Sequence, residues 1–99
     1  MIVVSGHFRH PPERIAEARP AMEKVIATSL TEPGCRAYSY AEDVREAGLF
    51  RVYEEWDSRE ALDAHFATAH MREWQEARTA LGFHDRAVSA YDVTGETPL

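Results

Sequence analysis

The sequence predicts an α+β domain of the ferredoxin-like class, with elements in the order βαββαβ. Residues 2–9 alternate apolar and polar side chains, and residues 49–56 are rich in aromatic and β-branched residues, as is typical of strands. Each stretch is followed by apolar residues at helical spacing. With two further strands, this order predicts an antiparallel four-stranded sheet with helices on one face.

The first half of the chain predicts one strand and one long helix. A proline pair ending at Pro12 stops the 2–9 strand, and an apolar stripe then runs over residues 13–31. Pro20 lies inside this stripe and has no N–H to bond the carbonyl four residues back. We therefore expect a kink near Ala16, or a short helical turn before a main helix that starts at Pro20.

A hairpin of two strands follows the breaker Glu32-Pro-Gly. Residues 35–42 alternate small and large side chains, and residues 49–56 form the partner strand. The small side of 35–42 would let a helix lie close, so we expect the helices beside Cys35 and Ala37. The uncovered face would then carry the larger side chains: Arg36, Tyr38, Tyr40, Arg51 and Tyr53.

The second helical region starts directly after residues 49–56. Asp57 and Ser58 both offer a side-chain oxygen to a helix N-terminus, and Glu60 stands at capping-box spacing from Asp57.

This region is predicted to break near Thr68, whose hydroxyl can cap a further helix, and Gly82 is predicted to end that helix in a left-handed conformation. Residues 84–93 predict the fourth strand and residues 94–99 a tail, so that residues 1–99 form one domain.

Composition excludes several classes of protein. The net charge is −6, which is the wrong sign for a nucleic-acid-binding surface. No apolar run approaches the roughly 20 residues of a membrane-spanning helix. Cys35 is the single cysteine, which excludes an internal disulfide, and it more often packs as a small buried side chain than acts as a nucleophile. We expect a cytoplasmic protein.

A domain of this size has a thin core and, in the predicted fold, one uncovered sheet face. Packing that face against the sheet of a second copy would bury it, so we expect a homodimer.

The best pocket candidate is His65. It follows Ala61 and Leu62 at helical spacing, so it should face inward with them, close to aromatic residues. A ring that titrates near neutrality among aromatic walls is suited to act as a base, although a core histidine bonded to a backbone carbonyl is the alternative. The residues that we expect to bind a substrate around it are Tyr40, Tyr53, Trp56, Phe66, His70 and Trp74. For Tyr40 and Tyr53, a place in a dimer interface is the alternative.

A metal site is not expected from these histidines. His65 and His70 are five residues apart across a helix break, whereas a helical metal pair prefers a spacing of four. Glu54 and Glu55 are adjacent on a strand and point to opposite faces, so they are not a paired-carboxylate site; one of them could bond Arg36 or Arg51. No phosphate loop, nucleotide fingerprint or nucleophile elbow occurs. We therefore expect no cofactor.

Three segments of the chain resemble the antibiotic biosynthesis monooxygenase (ABM) superfamily of dimeric α+β barrel proteins: residues 32–40, 50–62 and 65–70. The resemblance implies two ferredoxin-like subunits with facing sheets, and a pocket in each subunit between sheet and helices. Some members oxidise aromatic polyketides to quinones with molecular oxygen, without flavin or metal. Others degrade haem, isomerise a small phosphorylated sugar-like signal, or have no assigned chemistry. Haem-degrading members carry an asparagine in the first strand and an iron-ligating histidine in the second helical region. His65 or His70 could match the histidine, but the first strand offers Ser5 and His7 in place of asparagine, which argues against haem chemistry.

The resemblance thus implies a cofactor-independent monooxygenase that acts on a small aromatic or quinol-type molecule, with His65 as base or orienting group. Two alternatives remain: a non-catalytic binding or stress-responsive module that uses the same cavity, and an isomerase that uses His65 for proton transfer.

Overall fold

The computed structural model describes residues 1–99. The elements, in chain order, are β1 (Ile2–Arg9), a 3₁₀ turn (Pro12–Arg14), α1 (Ile15–Leu30), β2 (Cys35–Glu42), β3 (Leu49–Trp56), α2 (Arg59–Phe66), α3 (Ala69–Ala80) and β4 (His84–Asp92). The predicted βαββαβ order is confirmed, with the second helical region divided in two.

The four strands form one antiparallel sheet in the order β2-β3-β1-β4. The central strand β1 approaches β4 very closely at Gly6. A Cβ atom at this position would lie 2.1 Å from the carbonyl oxygen of Ala87. Glycine is therefore required here by the distance between the two strands.

All helices lie on one face of the sheet, and the core fills the space between. Its largest fully buried apolar side chains are Trp56 on β3 and Leu62 on α2. Along β1, Ile2, Val4 and Phe8 point into this core, as the alternation predicted. Packing against this core determines which face of each strand is buried and which is exposed.

The predicted faces of β2 are wrong. Tyr38 is buried and Tyr40 packs against the core, so the large residues of β2 lie under the helices. Ala37 and Ser39, the small residues, lie on the uncovered face together with Tyr53. Burying an aromatic ring removes far more apolar surface from water than burying alanine or serine, so core formation selects the tyrosine face.

The strand carries an irregularity that the alternation could not show. The register between β2 and β3 shifts between Cys35 and Ala37. Cys35 therefore packs against the core on the same side as Tyr38, while Arg36 between them is exposed. One extra residue in a strand is enough to reverse the faces that period-two counting assigns.

The helix boundaries refine the predictions. Ser58, and not Asp57, caps α2, because its side chain accepts the N–H of Ala61. Thr68 caps α3 as predicted. Gly82 adopts the predicted positive φ, 90°, after that helix.

In the first half of the chain, the short turn ends at Arg14 and α1 starts at Ile15, so that Pro20 lies inside the helix and does not begin it. Pro20 is in the second turn of α1. Because proline has no N–H, one backbone hydrogen bond, to the carbonyl four residues back near the exposed start of the helix, is not formed.

His10 is one of the few buried polar residues. It directly follows β1, and its ring is 1% exposed and packs edge-on against Phe83 at 4.6 Å between ring centroids. Nδ1 donates to the carbonyl of the next residue, Pro11, at 2.9 Å.

The uncovered face of the sheet carries mostly small and polar side chains, together with Val3 and the exposed Tyr91. Ser5, Tyr53 and Ser89 stand side by side on it, on β1, β3 and β4. No helix of the chain is long and apolar enough to cross a membrane.

Candidate functional site

His65 lies in the last turn of α2 and points between that helix and the sheet. Its side chain is 1% exposed. The ring centroid is 4.7 Å from Trp56, 5.5 Å from Tyr38 and 5.3 Å from Phe66. The predicted inward direction of His65, among aromatic rings, is confirmed.

A carboxylate holds this ring in place. Glu32, in the turn after α1, brings Oε2 to 2.7 Å from Nδ1 of His65. The other oxygen, Oε1, contacts Nε2 of His70 at the start of α3. One carboxylate therefore joins three separate segments of the chain around the buried histidine.

The hydrogen-bond pattern assigns the protons of both rings. A carboxylate accepts only, so Nδ1 of His65 and Nε2 of His70 are the protonated nitrogens. Nε2 of His65 makes no hydrogen bond within the chain and carries the free lone pair. Burial lowers the pKa of His65, against the opposing effect of Glu32, so the ring is neutral near pH 7.

His65 lines a small cavity between the sheet and the helices. The other members that matter for chemistry are Tyr38, Tyr40, Glu54 and the guanidinium of Arg86. The cavity measures about 20 Å³, enough for one water molecule. An aromatic ligand needs a larger space than this. Phe66 lines the cavity and is 45% exposed, so this part of the lining borders solvent.

Glu54 is a second titratable group in the lining of this cavity. Burial raises its pKa to about 7, although its Oε1 accepts a 2.9 Å hydrogen bond from Nε1 of Trp56. The expectation that Glu54 or Glu55 bonds Arg36 or Arg51 is wrong. These arginines pair with Asp57 and Asp43, and Tyr53 donates to Glu55.

The two tyrosines supply hydroxyl groups at the cavity wall. The hydroxyls of Tyr38 and Tyr40 lie 3.1 Å apart. Burial raises the pKa of both, for Tyr40 to about 12, so both stay protonated and can donate to a ligand oxygen.

Two arginines also line the cavity, and neither has a carboxylate oxygen within 4.0 Å of its guanidinium group. They are Arg78 of α3 and Arg86 of β4. Burial, together with the charge of Arg86, lowers the pKa of Arg78.

Most of the sequence-predicted site residues gather around His65. Trp56, Phe66 and His70 have ring centroids within 5.8 Å of it, and Trp74 stacks on Tyr40 at 5.9 Å. The exception is Tyr53, which is 41% exposed on the opposite face of the sheet.

Sequence reasoning missed Glu32, Tyr38, Arg78 and Arg86 as site residues. Glu32 was interpreted only as part of a chain-breaking turn, and no local sequence pattern indicates a role for its carboxyl group.

Cys35 is partly buried and its pKa is raised to about 11 by burial, which fits a packing side chain rather than a nucleophile.

The fold and this site define a ferredoxin-like α+β domain with a histidine–carboxylate pair beside a cavity between sheet and helices. Residues 1–77 match the antibiotic biosynthesis monooxygenase (ABM) family. The chain belongs to this family, as the sequence motifs indicated.

The names of two similar proteins give no substrate. The uncharacterised protein sll1783 of Synechocystis is 39% identical over 75 residues, which cover 76% of this chain and 51% of that protein. The chain thus spans about half the length of that relative. The Bacillus subtilis protein YcnE, whose name proposes a monooxygenase, is 29% identical over 73% of this chain and 76% of its own.

Solved structures confirm the fold. A crystal structure of an antibiotic biosynthesis monooxygenase is 30% identical, with a TM-score of 0.83, and the match covers 96% of this chain and 100% of that chain. A family member from Deinococcus radiodurans has a TM-score of 0.93 at 24% identity, over 100% of this chain and 98% of that chain.

Proposed function

We propose that the protein is a cofactor-independent monooxygenase that oxidises a small aromatic or quinol-type molecule with O₂. The observation that carries this proposal is the pairing of His65 with Glu32. One ring nitrogen is held by a carboxylate, the other has no hydrogen-bond partner within the chain, and the residue lines a small cavity. This is the arrangement of an oriented general base.

The reaction begins when Nε2 of His65 removes a proton from a phenol or an activated ring carbon. The resulting electron-rich anion transfers an electron to O₂, and the two radicals join through a new C–O bond. The hydroperoxide then breaks its O–O bond. One oxygen atom stays on carbon as the quinone carbonyl, and the other leaves as water with two hydrogens from the substrate.

The surrounding groups support this chemistry. The hydroxyls of Tyr38 and Tyr40 remain protonated and can donate to a substrate carbonyl on which negative charge develops. The apolar lining, which includes Val52, Met71 and Trp74, would keep water away from the reacting anion.

The proposal includes the assembly and location of the protein. The uncovered sheet face bears small side chains such as Ala37 and Ser39, which allow a second sheet to approach closely. We propose a homodimer through this face, with Tyr53 in the interface, and residence in the cytoplasm.

One observation favours a second function, an isomerase. Glu54 and His65 line the same cavity; burial raises the pKa of Glu54 to about 7, and the neutral ring of His65 has one nitrogen free to accept a proton. An isomerase needs a group that removes a proton from one carbon and a group that returns it to another.

The test is a melting-temperature screen of hydroquinones and polyketide-like phenols, followed by oxygen-uptake and product-mass measurements on each compound that binds. A monooxygenase consumes O₂ and yields a product with one more oxygen and two fewer hydrogens. A product of unchanged mass identifies the isomerase. A compound that raises the melting temperature and is not converted favours the binding module.

The base is tested on the same compounds with His65→Ala and, as the matched control, His84→Ala. His84 is an exposed histidine outside the cavity. If His65→Ala kept full turnover, His65 would not be the base.

A further inference from the structure

Glu32, His65 and His70 form a cluster that the proposed reaction does not fully use. One side-chain ligand atom of each lies within 4.8 Å of the other two. Two imidazoles and one carboxylate are the donor set of several catalytic zinc sites and of the facial iron triad. The cluster therefore has the composition of a transition-metal site.

We propose that Glu32, His65 and His70 bind a divalent transition-metal ion of the zinc type. The ligand atoms are a carboxylate oxygen of Glu32, Nδ1 of His65 and Nε2 of His70. Water or a small anion takes the fourth position.

The three ligand atoms already lie close together. Glu32 contacts both histidines, and the two ring centroids are 5.8 Å apart. In a tetrahedral zinc site with bonds near 2.1 Å, ligand atoms lie roughly 3.4 Å apart. The widest separation must therefore close by roughly 1.4 Å. Rotation of His70, which is 16% exposed at the first turn of α3, supplies this movement without disturbing the buried His65.

An ion has an open and acidic route to this point. A groove on the outer side of α2, about 420 Å³ in volume, is lined by Glu32 and His65 together with Asp57 and Glu60. Negative side chains along a groove raise the local concentration of cations. No phenylalanine, tyrosine or tryptophan lines the groove, so an ion reaches Glu32 and His65 without crossing the aromatic core.

The helix break explains why a five-residue spacing permits a site. On one continuous helix, positions 65 and 70 would diverge by about 140°. The break between α2 and α3, at Ala67 and Thr68, redirects His70 towards His65. The third ligand, Glu32, comes from a segment distant in sequence.

One consequence rests on the proposed function. A metal ion on Nδ1 of His65 leaves the ring proton on Nε2, the nitrogen that must accept a proton in the reaction. Metal binding and base catalysis by His65 therefore exclude each other, and the metal-loaded protein is expected to lose its oxygen uptake.

The binding experiment uses the full chain, freed of metal by a chelator. Co²⁺ is titrated in and the visible absorption of tetrahedral cobalt is followed, and Zn²⁺ binding is measured by calorimetry. We expect one ion per chain. Glu32→Gln and His70→Ala should each weaken Zn²⁺ binding by at least ~10-fold.

Matched controls are Glu76→Gln, an exposed glutamate of α3 outside the groove, and His84→Ala, an exposed histidine elsewhere. Both should keep the affinity of the unmodified chain. Circular dichroism establishes that each variant is folded, and Zn²⁺ should raise the melting temperature of the unmodified chain but not of His70→Ala.

Absence of Co²⁺ absorption, or equal binding by the cluster variants and the controls, would overturn the metal site. These readouts involve no substrate, so such a failure leaves the proposed oxygenase untouched. Conversely, failure to find O₂ uptake with any phenol leaves the metal site standing.

Discussion

The carboxylate of Glu32 lies 2.7 Å from Nδ1 of His65, although 33 positions separate the two residues. This contact ties the turn after α1 to the end of α2 and determines which ring nitrogen is free. A neutral histidine has one donor and one acceptor nitrogen, and the partner of one decides the role of the other. Glu32 is thus a positioning residue for the proposed base.

Replacing Glu32 with glutamine should slow turnover while leaving ligand binding nearly unchanged. A glutamine amide can present either its oxygen or its N–H₂ group to Nδ1, so the free lone pair is no longer assigned to Nε2. We expect kcat to fall at least ~10-fold and KM to change little, because the amide occupies the same volume. Steady-state oxygen uptake measures both constants, and an unchanged kcat would contradict the positioning role.

Replacing Glu54 with glutamine should stabilise the protein at alkaline pH. The pKa of Glu54 is raised to about 7 from an ordinary value of 4.5, so the folded state holds this proton more tightly. Below pH 4.5, Glu54 is protonated in both the folded and the unfolded state, so it does not lower the free energy of unfolding. Between pH 4.5 and 7 the penalty grows as pH rises, and above pH 7 it reaches about 3 kcal/mol.

Urea denaturation of Glu54→Gln at pH 5 and pH 8 checks this sign. The variant should gain about 1–3 kcal/mol relative to the unmodified chain at pH 8 and little at pH 5. Glu60→Gln, on the exposed side of α2, should show no such difference between the two pH values. A Glu54→Gln variant less stable than the unmodified chain at pH 8 would mean that the carboxylate is stabilised, not penalised, by its surroundings.

The close approach of β1 and β4 makes Gly6 sensitive to a single methyl group. Gly6→Ala places Cβ 2.1 Å from the carbonyl oxygen of Ala87, so the two strands must separate. We expect a loss of several kcal/mol, on the order of 3, in the free energy of unfolding. Gly95→Ala is the control, because no atom lies within 4 Å of its Cβ position. Equal thermal stability of the two variants would contradict the observed strand spacing.

The proposed dimer predicts a specific effect of charge on the uncovered face. Ser5→Arg places a long cation between Tyr53 and Ser89 at the centre of this face, where a facing sheet would leave it no solvent. Light scattering after gel filtration should show a shift from dimer to monomer. Ala47→Arg, in the exposed connection between β2 and β3, should leave the mass unchanged. A Ser5→Arg variant that remains fully dimeric would place the interface elsewhere.

Removal of the Tyr38 hydroxyl separates its two roles. Tyr38→Phe loses the 3.1 Å contact with Tyr40, for which we expect a cost of about 1 kcal/mol in stability. If the hydroxyl also binds a substrate oxygen, KM for the identified compound should rise, or kcat should fall, by about 10-fold. Denaturation and oxygen uptake on the same variant measure the two effects independently.

Local patterns predicted the elements of this protein well. Strand β1 and strands β2 and β3 begin and end where alternation and turn residues placed them, and β4 ends one residue earlier than expected. The cap at Thr68 and the left-handed Gly82 were also predicted, because each depends on a few adjacent residues. The inward direction of His65 followed from its spacing relative to Leu62 on the same short helix.

The sequence by itself determined the order of the elements, the family and the position of His65 on an apolar helix face, since these depend on interactions within about one turn or one strand. Only the tertiary structure decided that Tyr38 and Tyr40 face the helices, that His10 is buried, and that Glu32 reaches His65 and His70. These outcomes depend on which residues minimise exposed apolar surface across the whole fold, and on contacts between segments more than 30 residues apart.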